Sequence, residues 1–274
     1  MIDLLELYFH WSQVAAFSVS FVLTGVIVYF QRHFSFVGSR NDTHGAVQRM
    51  HSRVTPRIGG VAIFSALCLP IIIAPNVISG RYENFLLPVT LLFLVGLLED
   101  VGFNVSPRKR LLAVGVSSAL LIIIFDVWLS RIGIPFIDNA LTYWFAGIPL
   151  TILVVSGVTN GFNLIDGVNG LSSGTAMSAI LAMAAISHQA GYIEAVAPAL
   201  LMFASILGFF VFNYPFGRIF LGDAGAYILG FILTWFGISI LLWEPDVSPW
   251  AILLIFFWPV ADTLLAIYRR FRNK

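Results

Sequence analysis

The sequence predicts an all-α fold, a polytopic bundle of about nine membrane-spanning helices. Three observations predict it. Of the 274 residues, 59% are hydrophobic and only 11% are charged, against roughly 25% charged in a soluble domain. The apolar residues come in long unbroken runs, which suit helices and not the short alternating strands of a membrane β-barrel. The polar residues gather between the runs, in short islands rich in glycine, carboxylate and amide.

The runs are 14–30, 58–78, 85–98, 111–129, 143–159, 171–188, 195–212, 224–243 and 249–268. Several fall short of the roughly 20 residues needed to cross the hydrocarbon core, so their ends extend into flanking residues. The first lacks a basic flank and a small-residue cleavage pattern, and reads as a spanning helix, not a signal peptide. The single cysteine, Cys68, lies inside a run and has no second thiol for a disulfide or a metal site. Neither a fixed-period repeat nor a low-complexity linker interrupts the chain, so 1–274 reads as one membrane domain. The connection 130–142, with Gly133, Pro135 and Asp138, reads as turns or a small hairpin without chemistry.

Lys and Arg placement orients the bundle. One alternate set of connections carries Arg32, Arg40, Arg49, Arg53, Arg57, Arg108, Lys109, Arg110, Arg218, Arg269, Arg270, Arg272 and Lys274, and the other only Arg81 and Arg131. The cation-rich set is cytoplasmic, which places the N-terminus outside and the C-terminus inside. On that inner side lie Asp42, Glu99, Asp100, Asp166, Asp223 and Asp262. All but Asp42 sit at a helix end or just inside one, where they can converge on a single cytoplasmic cleft. Ionisable groups at membrane depth are costly and usually functional.

Four islands carry chemistry. The basic stretch 31–60 holds His33, His44 and His51 and ends in Pro56-Arg57-Ile58-Gly59-Gly60. Paired glycines at a helix start expose backbone N–H groups to a phosphate or nucleotide, although a basic loop also serves topology alone. Glu99 and Asp100 close the third run as adjacent carboxylates, which repel each other unless a cation or proton sits between them. They suit divalent metal binding or general-base work, or else a solvated helix end. Arg108, Lys109 and Arg110 follow at the lipid surface. The island 160–171 holds Asn160, Asn163, Asp166 and Asn169 among three glycines. Asn163 and Asp166 share a face on a helical turn and offer the hard oxygens that Mg²⁺ prefers. The stretch 213–226 sets Asp223 between Gly222 and Ala224-Gly225 at the start of the eighth run, as an N-cap or as a metal ligand at a glycine-lined mouth. Pro259 and Asp262 in the ninth run point to a broken helix, with Asp262 either in the cleft or paired to Arg269 and Arg270.

Pro-Arg-x-Gly-Gly, G-x-x-[DE]-D, N-x-x-N-x-x-D-G-x-x-G-L and F-L-G-D-x-G-[SA], in this order over residues 31 to 270, resemble the polyprenyl-phosphate N-acetylhexosamine-1-phosphate transferase superfamily (MraY/WecA/TagO-like). The resemblance implies a Mg²⁺-dependent reaction at the inner leaflet of the bacterial plasma membrane, with Mn²⁺ as a substitute. Undecaprenyl phosphate would attack the β-phosphate of a UDP-N-acetylhexosamine, UDP-N-acetylglucosamine foremost. The products would be UMP and the lipid-diphospho-sugar that initiates a cell-envelope polysaccharide. It implies Asn163 and Asp223 as metal ligands and Glu99, Asp100 and Asp166 as catalytic carboxylates. Arg110, with Arg108 or Lys109, would hold the lipid phosphate. Asn169 would face the donor, and Arg57, Asn160 and Gly222 complete the substrate-binding set. The implied partners are the lipid acceptor, the UDP-sugar, the membrane and a second copy of the chain in a homodimer, with no nucleic acid.

Departures from the pattern matter too. Glu99 stands where many relatives have Asp, and Asn169 where many bacterial members have a second Asp. The family's H-x-H-[HQ] loop after the ninth helix does not precede Lys274, so the expectation is either a truncated sequence or a protein lacking part of its donor site. An inactive relative and a transporter are the alternatives. A transporter holds its charges near the bilayer midplane, whereas these acids gather at one face.

Overall fold

The computed structural model describes residues 11–34, 55–73 and 80–272. Among them are eleven α-helices, one 3-10 turn and no strand. In chain order they are α1 (Trp11–Phe34), α2 (Gly59–Ile73), α3 (Gly80–Asp100), α4 (Pro107–Phe125), α5 (Pro135–Leu141), α6 (Trp144–Ile165), α7 (Leu171–Ala190), the turn Ile193–Ala195, α8 (Val196–Asn213), α9 (Gly222–Trp243), α10 (Pro249–Ile255) and α11 (Phe257–Arg272).

Each of the nine apolar runs contributes helix. Six helices, α1, α3, α6, α7, α8 and α9, are long and apolar enough to cross a bilayer. α10 and α11 together form a seventh candidate, bent by 73° at the break between them. α2 is shorter, and α4 carries Arg108, Lys109 and Arg110 in its first turn. The chain is a multi-pass membrane protein. The expected break near Pro259 lies slightly earlier, at Phe256. Pro259 thus falls in the first turn of α11, where a missing N–H leaves no helical bond unmade.

The connection 130–142 is helical where a hairpin was one expectation. Pro135 presets the first turn of α5. Asp138 folds back to accept the N–H groups of Ile132 and Gly133 at 2.7 and 3.2 Å. Those two amides are bound by a local side chain and do not pair with a facing strand.

α9 is the axis of the bundle. It packs against α2, α3, α6 and α7, and most of its side chains are buried. Outside this set, α1 lies along α8 and α2, α4 along α3 and α6, and α11 along α6. Lipid tails are as apolar as leucine, so helices in a membrane associate through close packing of small residues. Gly60 of α2 faces the backbone of Gly225, and Gly96 of α3 faces that of Ala224, with no room for a side chain at either. Both contacts fall in the first turn of α9, so α2 and α3 meet the central helix most tightly where Asp223 stands. On the outward surface, Leu112, Ile123 and Leu153 are exposed, as a lipid-facing shell requires.

At the opposite end of α9, Arg131 donates from Nε to the Leu241 carbonyl at 3.0 Å and from Nη2 to the Glu244 carbonyl at 2.7 Å. It satisfies carbonyls that the helix end leaves without partners and places a cation at the negative pole of the helix.

Candidate active site

The polar islands meet at one end of the bundle. Asp100 is the last residue of α3, Arg110 lies in the first turn of α4, Asp166 follows α6, and Asp223 opens α9. Two helices therefore end here and two begin.

Asp223 is the hub. One carboxylate oxygen pairs with Nη1 of Arg110, and the other accepts from Nδ2 of Asn163 at 3.1 Å. Both residues of the pair are largely shielded from solvent. Asn163 and Asp223, from motifs 60 positions apart, are thus hydrogen-bonded to each other. Asp100 reaches the same turn from the other side. Its Oδ1 accepts the N–H of Asp223 at 2.8 Å and its Oδ2 that of Ala224 at 2.9 Å.

Gly222 lets these groups crowd together. Its φ is +77°, in the left-handed region that L side chains avoid. A Cβ there would strike the carbonyl of Arg57 and the Asp100 carboxylate. Arg57 arrives on a backbone ladder: Phe220 N–H donates to the Pro56 carbonyl at 2.8 Å, and Gly59 and Gly60 donate to the carbonyls of Phe220 and Leu221 at 3.0 and 2.8 Å. The paired glycines are thus bound to the chain ahead of α9 and do not stand open to a phosphate. The Arg57 side chain is exposed.

Asp166 accepts the N–H of Gly222. Burial pushes its carboxyl well above the usual carboxylate range. Arg57 opposes that rise, and Asp100 and Asp223 add to it.

The remaining expected residues are placed differently. Glu99 turns away from Asp100 and accepts the Val105 N–H at 2.5 Å. The two acids are thus held by separate backbone donors. Asn160 donates to the Ser156 carbonyl at 2.8 Å and accepts from the Tyr227 hydroxyl at 3.4 Å, so both ends of its amide meet protein. Asn169 lies against Gly217. Arg108 and Lys109 are exposed on the first turn of α4, which Ser106 caps by accepting the Lys109 N–H at 3.4 Å. Asp262 makes no ion pair among the described residues, Arg269 and Arg270 included. His44 and His51 lie outside the described residues, as do Asp42, Arg40, Arg49 and Arg53.

Asn213 is a member that sequence reasoning missed. It is buried at the end of α8. Its Oδ1 accepts the Gly170 N–H at 2.8 Å and the Ser173 hydroxyl at 3.3 Å, and its Nδ2 donates to the Ile219 carbonyl at 2.8 Å. It ties the loop after Asp166 to the loop before Asp223. The available signal was an amide closing a long apolar run, where a solvated turn needs none.

Comparison with known proteins bears on this cluster. The family model "Glycosyl transferase family 4" matches residues 83–241, more than half of the chain. The chain belongs to glycosyl transferase family 4. Among family relatives, a Bacillus subtilis protein named "Probable undecaprenyl-phosphate N-acetylglucosaminyl 1-phosphate transferase" is 28% identical over 83% of this chain and 63% of its own length. The "Undecaprenyl-phosphate alpha-N-acetylglucosaminyl 1-phosphate transferase" of Thermotoga maritima is 29% identical over 92% of this chain and 72% of its own. A "Phospho-N-acetylmuramoyl-pentapeptide-transferase" of Halalkalibacterium halodurans is 26% identical over 79% and 70%. The chain spans 63% of the length of the Bacillus subtilis relative. The matched family region contains Glu99, Asp100, Arg110, Asn163, Asp166 and Asp223, and leaves Arg57 outside it.

Proposed function

We propose that the chain transfers an N-acetylhexosamine-1-phosphate, GlcNAc-1-phosphate foremost, from a UDP-sugar to undecaprenyl phosphate at the inner leaflet of a bacterial plasma membrane. The observation that carries this reading is the Arg110–Asp223–Asn163 contact set beside Asp166 at one end of the bundle. It puts a guanidinium and a group of hard oxygens where four helix ends meet. The nine-span topology, with the N-terminus outside and this end of the bundle cytoplasmic, belongs to the same proposal.

In the reaction, an oxygen of the lipid phosphate attacks the β-phosphorus of the donor. The bond from that phosphorus to the bridging oxygen breaks, and the oxygen leaves on UMP. Phosphoryl transfer asks the protein mainly to position the two phosphates and neutralise their charge. Arg110 uses Nη1 on Asp223, while its buried Nε has no hydrogen-bond partner among the described residues. It therefore keeps donor capacity for a phosphate oxygen, with Arg108 and Lys109 adding charge at the surface. Asp166, next to Gly222, is the carboxylate offered for a proton of the acceptor phosphate. Asn169 faces the donor.

The donor set fits a Mg²⁺ ion in kind. Among the described residues no group of three or more His, Cys, Asp and Glu is placed to hold a metal. Asp223 and Asn163, however, offer a carboxylate and a carboxamide oxygen, and Mg²⁺ bound with substrate phosphates asks for one or two protein carboxylates only. Mg²⁺, or Mn²⁺ in its place, would neutralise charge on the diphosphate.

The test is UMP release by the purified protein in detergent with undecaprenyl phosphate, Mg²⁺ and a panel of UDP-N-acetylhexosamines. Release that requires both donor and lipid phosphate supports the reading. Release without the lipid, or release of UDP in place of UMP, would overturn it.

A further inference from the structure

We infer that Asp100 is a positioning residue: it fixes the first turn of α9, and through it the Asp223 carboxylate, without touching the reacting atoms. This rests on the transferase reading of the site. Both Asp100 oxygens face α9, one on the Asp223 N–H and one on the Ala224 N–H. The side chain is 9% exposed, and Gly222 with the Arg57 carbonyl closes over it. These two amides are among the donors that a helix start leaves without internal partners, and an anion there matches the positive pole of the helix.

The surroundings reinforce the assignment. The first helical residues of α9 have no capping side chain of their own: Leu221 stands at the N-cap position. Asp100 supplies from α3, 123 positions away, what a Ser or Asp at that position would supply locally. Gly96, one helical turn earlier on α3, packs against the Ala224 backbone, so the same face of α3 meets the same turn of α9 twice. The first turn of α9 is thereby fixed to α3, and the Asp223 side chain projects from it toward Arg110 and Asn163. A general base, by contrast, presents an oxygen to the substrate. Among the acids of the cluster Asp166 and Glu99 remain for that work.

The test compares Asp100→Ala, Asp100→Asn and Asp166→Asn by transfer kinetics, pH profile and hydrogen exchange of peptides covering residues 219–226. Asp100→Ala should abolish transfer and speed exchange there by roughly tenfold or more, as expected for two lost charge-assisted bonds. Asp100→Asn keeps one acceptor oxygen. It should restore part of both, with transfer lowered by roughly ten- to thirtyfold, mostly in KM, and a pH profile of unchanged shape. Asp166→Asn should lose kcat while the Asp223 and Ala224 amides, which Asp100 holds, exchange as in wild type. The assignment is overturned if Asp100→Asn is as inactive as Asp100→Ala while 219–226 exchanges as in wild type, or if Asp100→Asn changes the acid limb of the pH profile, which a general base sets. If the wild-type protein transfers no sugar phosphate from any donor, the transferase reading falls. Exchange then decides alone, and unchanged protection in Asp100→Ala sinks the positioning role.

Discussion

Arg110 and Asp223 form an ion pair between the first turn of α4 and the first turn of α9, 113 positions apart in the chain. The pair joins the surface cations that follow Ser106 to the carboxylate that opens the central helix. It is largely shielded from solvent, so losing one partner leaves a charge without compensation in a poorly solvated place. Arg110→Met and Asp223→Asn should each destabilise the protein. The double variant should be less destabilised than the sum by about 0.5–3 kcal/mol. Unfolding midpoints in detergent measure this, and strict additivity would show that the two residues do not interact.

Gly222→Ala tests the crowding at the mouth. The substitution places a Cβ against the Arg57 carbonyl and the Asp100 carboxylate at a φ of +77°. The left-handed backbone alone costs a non-glycine residue roughly 1–2 kcal/mol. Thermal stability should fall, and transfer should fall further than stability explains, because relieving the clash shifts the backbone at 222 and moves its N–H relative to Asp166. An active, equally stable Gly222→Ala protein would contradict the geometry.

Asp166 gives a pH dependence with a definite sign. Its folded carboxyl is held well above the usual carboxylate range, and an unfolded Asp titrates near about 3.9. Between these values the folded state binds the extra proton, so stability falls as pH rises through the window. Asp166→Asn removes that loss. It should melt higher than wild type at pH 8, with the gap shrinking as pH falls. A gap that grows toward acid pH would reverse the sign and refute the burial argument.

Much of this site was legible in the sequence, and what was not has a physical reason. The convergence of Asp100, Asn163, Asp166 and Asp223 followed from carboxylates and amides at the ends of apolar runs, because such groups are costly anywhere but a shared polar cleft. The partners were not legible. Glu99 and Asp100 are neighbours in sequence, yet Val105 holds one and the start of α9 the other. Only the tertiary approach of α3 to α9, permitted by Gly96, decides that. Asn213 escaped notice because its three partners lie on two loops and one helix start. At 130–142 the hairpin option failed because Asp138 caps amides behind it, a contact that composition does not reveal.

Asn213→Ala removes an acceptor for Gly170 and Ser173 and a donor for Ile219. Each buried group left without a partner costs about 1–3 kcal/mol. The variant should melt lower, and its KM for the UDP-sugar should rise, because the loop bearing Asn169 loses its tie to the loop before Asp223. An unchanged KM in a folded variant would show that the tie is not needed for donor binding.

Orientation is open to a direct check. Val168 and Phe136 are both exposed, on connections at opposite ends of the bundle. A cysteine introduced at 168, in a Cys68→Ser background, should react with an impermeant thiol reagent only from the cytoplasmic side, and one at 136 only from outside. Reaction of both from one side would overturn the topology.

The account turns on phosphoryl transfer at the Asp223 cluster. The most direct measurement follows UDP-N-acetylglucosamine labelled at its β-phosphate, incubated with the protein, undecaprenyl phosphate and Mg²⁺. The label should pass entirely into the lipid fraction, with one unlabelled UMP per lipid product, and Asp223→Asn and Asp166→Asn should each stop it. Label recovered in UDP or free phosphate, or equal transfer by wild type and both variants, would contradict the account.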